Sequence, residues 1–160
     1  MRQPFRCGVA FMKIRSFQNS DLNAIAGIYS LSKLDELRYE AAQFELLPLE
    51  QDAKRLQETM ESRIFVYDDG GVLGYGAVRA DEVRALFVHP VSRGKGVGRR
   101  LFEHLLSEVD SPARLYVAKS NVPAKTMYLQ YGFTITKEFE TSYNGQPVLA
   151  NEMVCVTRHT

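Results

Sequence analysis

Apolar residues change their spacing several times along this chain, and each change marks an element. Residues 11–17, FMKIRSF, alternate with period two. Phe11, Lys13, Arg15 and Phe17 share one side and Met12, Ile14 and Ser16 the other, which predicts a strand. Over 19–37 the period lengthens to that of a helix, with Leu22, Ile25, Ala26, Tyr29 and Lys33 on one face and Asn19 or Ser20 placed to cap its start. The stretch 38–60 breaks at Pro48, which has no amide to donate and pushes Leu47 away from helical dihedrals. It resumes as a helix through Leu56 and Met60.

Three strand signals then come in close succession. SRIFVYDD and GVLGYGAVRA flank the turn-forming Asp68-Asp69-Gly70-Gly71 and predict a hairpin. DEVRALFVHP is a third strand ending at Pro90, with Val83, Ala85 and Phe87 on one face and Glu82, Arg84, Leu86 and Val88 on the other. Beyond a glycine-rich turn, Val97, Leu101 and Leu105 with Phe102, Leu106 and Val109 form a wide apolar helical stripe. ARLYVAKS reads as a short strand, and NVPAKTMYLQYG as a helix stopped by Gly132. The last two strands flank Asn144-Gly145, a favoured hairpin turn. The order β-α-α-β-β-β-α-β-α-β-β predicts an α/β (mixed α+β) fold, a central twisted mixed β-sheet flanked by helices.

Composition sharpens this picture without redirecting it. The 160 residues fit one domain, 1–160, with an N-terminal tail of about ten residues. Twenty basic against nineteen acidic side chains leave a net charge of +1, so an anion site here should be local rather than a broad nucleic-acid surface. No run approaches the ~18 apolar residues of a membrane span, and Arg2, Gln3, Pro4 and Arg6 precede too brief an apolar patch for a secretory signal. Cys7 and Cys155 match no redox or metal spacing, and reduced thiols in a cytoplasmic chain are expected.

The chemistry concentrates in HPVSRGKGVGRR, residues 89–100. Strand, glycine turn and helix in that order expose the unpartnered amides of a first helical turn at the positive end of its dipole. Gly94, Gly96 and Gly98 remove side chains that would keep a pyrophosphate from those amides, and Arg93, Lys95, Arg99 and Arg100 add charge. It is not a nucleoside-triphosphatase loop, because Lys95 is followed by Gly96 and leaves no hydroxyl for magnesium. It is not the dinucleotide fingerprint either, whose third glycine would fall on Arg99.

Arg93-Gly94-Lys95-Gly96-Val97-Gly98 instead resembles the acyl-CoA signature of the Gcn5-related N-acetyltransferase (GNAT) family: Arg or Gln, two residues, Gly, one residue, Gly or Ala. NVPAKTMYLQYGF also resembles that family, with Asn121, Ala124, Tyr128, Gly132 and Phe133 at its spacing. The resemblance implies the acyl-CoA N-acyltransferase fold, acetyl-CoA as cosubstrate, no metal, and a primary amine acceptor that is a small molecule or a peptide. The pyrophosphate would meet the amides around Gly94, Lys95, Gly96, Gly98 and Arg99, bordered by Val97, with Arg93 shaping the turn. Pantetheine would lie between splayed strands near 82–88 and 114–118, beside Phe87 and Val88. Tyr128 stands at the position of the family's general acid and would protonate the departing sulfur. Asn121 would cap its helix and contact CoA or an ordered water. For the base, the resemblance leaves two routes open: Glu82 through a water, or an amine that arrives deprotonated. His89 reads as a strand-end structural histidine, and His104 and His159 add no metal-ligand spacing.

Acceptor selection would fall to about 29–50 and 139–149. Asp35, Glu36, Glu40, Glu45 and Glu50 there favour a small cationic amine, with Tyr29, Tyr39, Phe44 and Tyr143 as aromatic walls. The expected mechanism is direct attack in a ternary complex. A cysteine intermediate lacks any cue for thiol activation near Cys7 or Cys155. A noncatalytic acyl-CoA-binding regulator would share the glycine turn yet need no Tyr128. A nucleic-acid-binding module would use Arg93, Lys95, Arg99 and Arg100, but the near-neutral charge opposes it, so neither nucleic acid nor membrane is an expected partner. VLANEMVCV is apolar enough to act as the interface strand of a homodimer.

Overall fold

Residues 13–156 are described by a computed structural model, so the N-terminal tail, Cys7, Phe11, Met12 and His159 lie outside the described residues. The elements are β1 (Ile14–Ser16), α1 (Leu22–Ser32), α2 (Ala53–Met60), β2 (Arg63–Asp68), β3 (Val72–Arg79), β4 (Glu82–Val88), α3 (Val97–Glu108), β5 (Ala113–Ala118), α4 (Val122–Gln130), β6 (Thr134–Tyr143) and β7 (Gln146–Cys155). This is the element order that the apolar spacing predicts. The strands form a seven-stranded sheet in the order β1-β2-β3-β4-β5-β7-β6, in which only β4 and β5 run parallel.

Helices cover both faces, which is why the inner strands are nearly continuous in apolar residues rather than alternating. On one side Ile25, Ile28 and Tyr29 of α1 pack with Ile64, Val66, Tyr75, Ala77 and Phe87. On the other, Phe102, Leu105 and Leu106 of α3 pack with Phe65, Val78, Val83, Leu115 and Met153. Val83 thus faces α3 while Phe87 faces α1, although a period-two strand puts both on one side. The cause is a register shift between β3 and β4. Ala77 pairs with Ala85 but Val78 pairs with Val83, so Arg84 is an extra residue that switches the faces.

Local choices explain the remaining boundaries. Asn19 and Ser20 do not cap α1. They form a short 3-10 turn, and Asp21 closes it by accepting the Gln18 amide at 2.8 Å. Asp21 is buried and also receives Arg15 at 2.8 and 3.0 Å, while Arg15 Nε reaches Asp68 at 3.0 Å. These bonds tie β1, β2 and the start of α1 together. α2 begins where Asp52 accepts the Arg55 amide at 3.2 Å. α4 ends at Gly132, whose φ of 93° lies in the left-handed region. The terminal strand β7 is paired by β5 on one side and by β6 on the other, and β6 is the edge.

Gly74 and Gly76 let α3 approach the sheet. A Cβ on Gly76 would lie 2.5 Å from Leu105 Cδ1 and 3.1 Å from Leu105 Cγ, inside a fully buried layer. Gly76→Ala should therefore lower stability by about 1–3 kcal/mol through overpacking. Gly27, within α1, has open space around the same atom, so Gly27→Ala should raise stability by about 0.5–1 kcal/mol. Denaturant midpoints of the two variants measured at unchanged slope check this contrast of sign.

Candidate active site

The site begins with two strands that part. β4 and β5 share only the pairs Glu82–Arg114 and Val83–Leu115, and beyond these no β5 residue pairs with β4. The backbone groups left facing this gap are set by the opposite ladder. His89 N donates to Leu73 O at 2.8 Å, which makes Gly74–Val88 a non-hydrogen-bonded pair and Tyr75–Phe87 a bonded one. Phe87 therefore spends its amide and carbonyl on β3, while Leu86 and Val88 turn theirs toward the gap. Of the two residues expected on this strand, Val88 presents backbone and Phe87 presents only its ring. Leu86 is the position the sequence reading missed. Its parity is set by a partner strand that the sequence of β4 does not reveal. Ser32 Oγ already donates to the Val88 carbonyl at 3.0 Å.

The glycine turn continues directly from this strand. His89 Nδ1 accepts the Val91 amide at 3.1 Å and so shapes the turn at Pro90–Ser92, the structural role expected of it. Gly94 and Gly96 have φ of 75° and 82°, a left-handed backbone that other residues adopt only with strain, and Gly96 is the N-cap of α3. After the Arg93 amide, which reaches Pro90 O at 3.3 Å, the next to find an acceptor is that of Arg100, 3.0 Å from Gly96 O. Among the described residues the amides of 94–99 meet none. Gly98 lies against Val88, so the helix start and the strand end are held together.

The expected charges are partly engaged by neighbours, although the Arg100 guanidinium stands 3.9 Å from where a Cβ on Gly96 would lie. Arg93 pairs with Asp35 of the turn Lys33–Leu37, Arg99 donates to Tyr131 Oη at 3.2 Å, and Arg100 donates to Tyr67 Oη at 3.1 Å. Lys95 is exposed at the turn itself. The turn's attraction for an anion thus combines its amides and the start of α3 with the nearby Arg100 guanidinium and Lys95.

A cleft of about 730 Å³ opens at the parting of the strands. Tyr128 and Asn121 border it from α4, Glu82 from its floor, and Tyr29, Tyr75 and Glu36 from the opposite face. Tyr128 packs with the α3 layer, its ring 5.2 Å from Phe102 and 6.2 Å from Phe133. That it shares a cleft with residues of the α1 face means the cleft passes through the sheet between β4 and β5. Among the described residues no group accepts from or donates to the Tyr128 hydroxyl. Burial, with the Glu36 charge adding, holds its pKa well above the ordinary tyrosine range. Asn121 Oδ1 accepts the Ala124 amide at 3.4 Å, which is the cap expected of it. Glu82 Oε1 lies 3.5 Å from Arg84 Nε.

Of the five acids expected to draw a cationic acceptor, only Glu36 lines the cleft. Asp35 is taken by Arg93, and Glu40, Glu45 and Glu50 lie off it. Tyr29 and Tyr143 do form walls, while Tyr39 stacks under Arg38 and Phe44 packs behind Tyr143 at 6.5 Å. The sequence reading missed Tyr75 and Arg55. Tyr75 looks like core within GVLGYGAV, and Arg55 sits on the polar side of a helix, where no spacing rule marks it. Cys155 is wholly buried in the α3 layer away from the cleft. The described residues contain no cluster of three His, Cys, Asp or Glu side chains arranged to hold a metal, and no helix long and apolar enough to cross a membrane.

Comparison with known proteins agrees with this geometry. The sequence profile described as Acetyltransferase (GNAT) domain matches residues 60–135, from the end of α2 to the start of β6. The peptidyl-lysine N-acetyltransferase YjaB of Salmonella typhimurium is 30% identical over 84 residues, which are 52% of this chain and 57% of that protein. The match thus spans little more than half of the relative's length. A Gcn5-related N-acetyltransferase from Rhodopseudomonas palustris shares the fold with a TM-score of 0.72 at 18% identity, over 90% of this chain and 94% of that one. YjaB of Escherichia coli in its apo form gives 0.66 at 24% identity, over 89% and 96% of the two chains. The structure of yncA from Salmonella typhimurium with acetyl-CoA gives 0.66 at 21% identity, over 92% and 95%. At these identities the shared feature is the fold.

The cleft roof is fixed by Tyr143, whose hydroxyl accepts the Leu47 amide at 2.8 Å and donates to the Leu47 carbonyl at 3.2 Å. Tyr143→Phe should cost about 1–3 kcal/mol, because it leaves both groups of Leu47 without a partner. Hydrogen exchange should show the loss as faster exchange of the Leu47 amide, with the α3 amides unchanged. Unchanged Leu47 protection would mean that other contacts hold the roof.

Proposed function

We propose that this chain, which matches the acetyltransferase (GNAT) domain profile over residues 60–135 and shares the fold of a Gcn5-related N-acetyltransferase, transfers an acetyl group from acetyl-CoA to a primary amine by direct attack in a ternary complex. The observation that carries this reading is the continuity of three features. A strand gap faced by Leu86 backbone and the Val88 amide, with the Val88 carbonyl held by Ser32, leads into a turn of unpartnered amides, and a cleft bordered by an unbonded tyrosine hydroxyl opens beside both.

The residues fit acetyl-CoA. Nothing lies within 4 Å of where a Cβ on Gly94 would stand, so the space over the turn is open. The amides of 94–99 would bind the pyrophosphate, and the Leu86 and Val88 backbone would pair with the pantetheine arm like an added strand. When bound, the cosubstrate supplies an activated acetyl thioester, and this chain's side chains manage the protons. Tyr128 holds a proton at its hydroxyl for the sulfur that leaves. Glu82, at the floor where β4 and β5 still pair, takes the proton of the acceptor amine through a water. Cys155, the cysteine among the described residues, is buried away from the cleft, which supports one step over a covalent intermediate on it. The likeness to a peptidyl-lysine N-acetyltransferase makes a lysyl amine one acceptor class to test beside small amines.

Replacing Gly96 with valine should weaken acetyl-CoA binding at least about tenfold in a folded protein, because the left-handed cap and the open approach are both lost. Titration calorimetry measures this, and unchanged affinity would remove the turn from the site. Tyr128→Phe should keep acetyl-CoA affinity and slow single-turnover transfer at least about tenfold, the lower end of general-acid contributions. Because the Tyr128 pKa is raised, its hydroxyl stays protonated over the working range. The pH–rate profile of the parent enzyme should then have no falling limb below pH ~10 from this group. Glu82→Gln should reduce the rate across the rising limb. A rate unaffected by that change would favour an amine that arrives deprotonated.

A further inference from the structure

One corner of the cleft has donors without an acceptor. Tyr29 is 1% exposed and lines the cleft from α1, held by an edge contact with Phe87 at 5.3 Å. Its hydroxyl is buried and makes no full hydrogen bond among the described residues; the neighbouring Tyr143 hydroxyl is already engaged by both backbone groups of Leu47. Buried polar groups in folded chains are bonded almost without exception, so an orphan at a cleft wall points to a missing partner. Arg55 of α2 stands beside it, with Cζ 5.8 Å from the Tyr29 ring centroid. Arg55 Nε is also buried and unbonded. The carboxylate nearest to it is Asp52, 3.6 Å away and beyond hydrogen-bond distance, and Asp52 is engaged as the cap of α2. Of the other cleft cations, Lys33 is taken by Glu36 at 2.9 Å and Arg84 by Glu61 at 2.9 Å, while Lys54 and Lys137 are exposed and stand 3.9 Å from Glu58 and 3.7 Å from Glu152.

The donor set is specific about chemistry. A guanidinium is a planar fork with no acceptor atom, matched to the two oxygens of a carboxylate, and a neighbouring phenol can donate a third bond. Net charge does not decide the matter, since Glu36, Asp52 and Glu58 line the cleft as well. The unmet bonds decide it. Resting on the acetyltransferase reading above, we infer that Arg55 and Tyr29 bind the carboxylate of the acceptor, which is therefore a small amino carboxylate such as a free amino acid. Glu36, paired with Lys33 at 2.9 Å, is the acidic group on the same side of the cleft. This retains the role of Glu36 in attracting a cation and adds an anion site that the acidic 29–50 segment does not suggest.

The test is a panel of free amino acids, their carboxamides, their decarboxylated amines and a lysine-containing peptide. Each is presented with acetyl-CoA to the full chain, reading CoA release with product mass, and with CoA in a calorimeter, reading binding alone. Amino carboxylates should exceed their own carboxamides at least about tenfold in both kcat/KM and affinity, as expected for hydrogen bonds to a charged group. Arg55→Gln should bring the two within about threefold by raising KM. Tyr29→Phe should also weaken carboxylate binding while leaving the melting temperature of the ligand-free protein unchanged or higher, since it removes an unbonded hydroxyl. A hydroxyl kept for structure would lower that temperature instead. Carboxamides, amines or the lysine peptide serving as well as or better than carboxylates would overturn the inference. So would a chain that binds acetyl-CoA but neither binds nor acetylates any amino carboxylate. Failure of acetyl-CoA itself to bind would instead overturn the acetyltransferase reading on which it rests.

Discussion

The structure depends on a pairing that stops early. Two parallel strands at the centre of a sheet ordinarily satisfy each other's backbone along their length, since an unmet buried amide or carbonyl is costly. Here β4 and β5 pair over two residues and then diverge. Their divergence leaves a slot walled by backbone donors and acceptors and open to both faces of the sheet. The extra residue at Arg84 belongs to the same arrangement. It turns Val83 into the α3 layer beside the last pair and lets Ala85 and Phe87 face α1 where the strands have parted. A ligand shaped like a strand is the natural occupant of such a slot.

The parts around the slot are held in fixed relation to it. α3 lies close on β3 because Gly74 and Gly76 leave room for Leu101 and Leu105, and this fixes where its N-terminus points. Gly98 against Val88 sets that N-terminus beside the strand end. Arg93 then joins the glycine turn to Asp35, in the same short turn that carries Lys33 and Glu36 into the cleft. The anion-binding turn and the wall facing the acceptor are therefore linked by one ion pair. Asn121 and Gly132 bound α4 so that Tyr128 reaches the cleft from the far face of the sheet.

Much of this was legible in the sequence because it rests on local signals. The order of elements comes from apolar period, Asn121 and Gly132 from helix-end chemistry, and the glycine turn from its spacing. The misreadings come from choices made by distant partners. Phe87 and Leu86 exchange roles at the gap because β3 sets which residues of β4 spend their backbone. Arg99 turns to Tyr131, while Arg100 reaches Tyr67 with its guanidinium still beside Gly96. The acids of 29–50 share a composition but not a location, and only Glu36 enters the cleft. Tyr75 and Arg55 carried no mark at all, since a tyrosine between two strand glycines reads as core and an arginine on a polar helix face reads as surface.

The central claim is that the parted strands and the amides that continue from them form one binding track. Backbone amide resonances of the full chain, monitored while CoA is added, test it most directly. The account predicts that the largest shifts and the strongest gain in exchange protection fall on Leu86, Val88 and the amides of 94–99, with the outer strands β1 and β6 unaffected. Perturbation confined to other surfaces, with those amides unchanged at saturation, would contradict it.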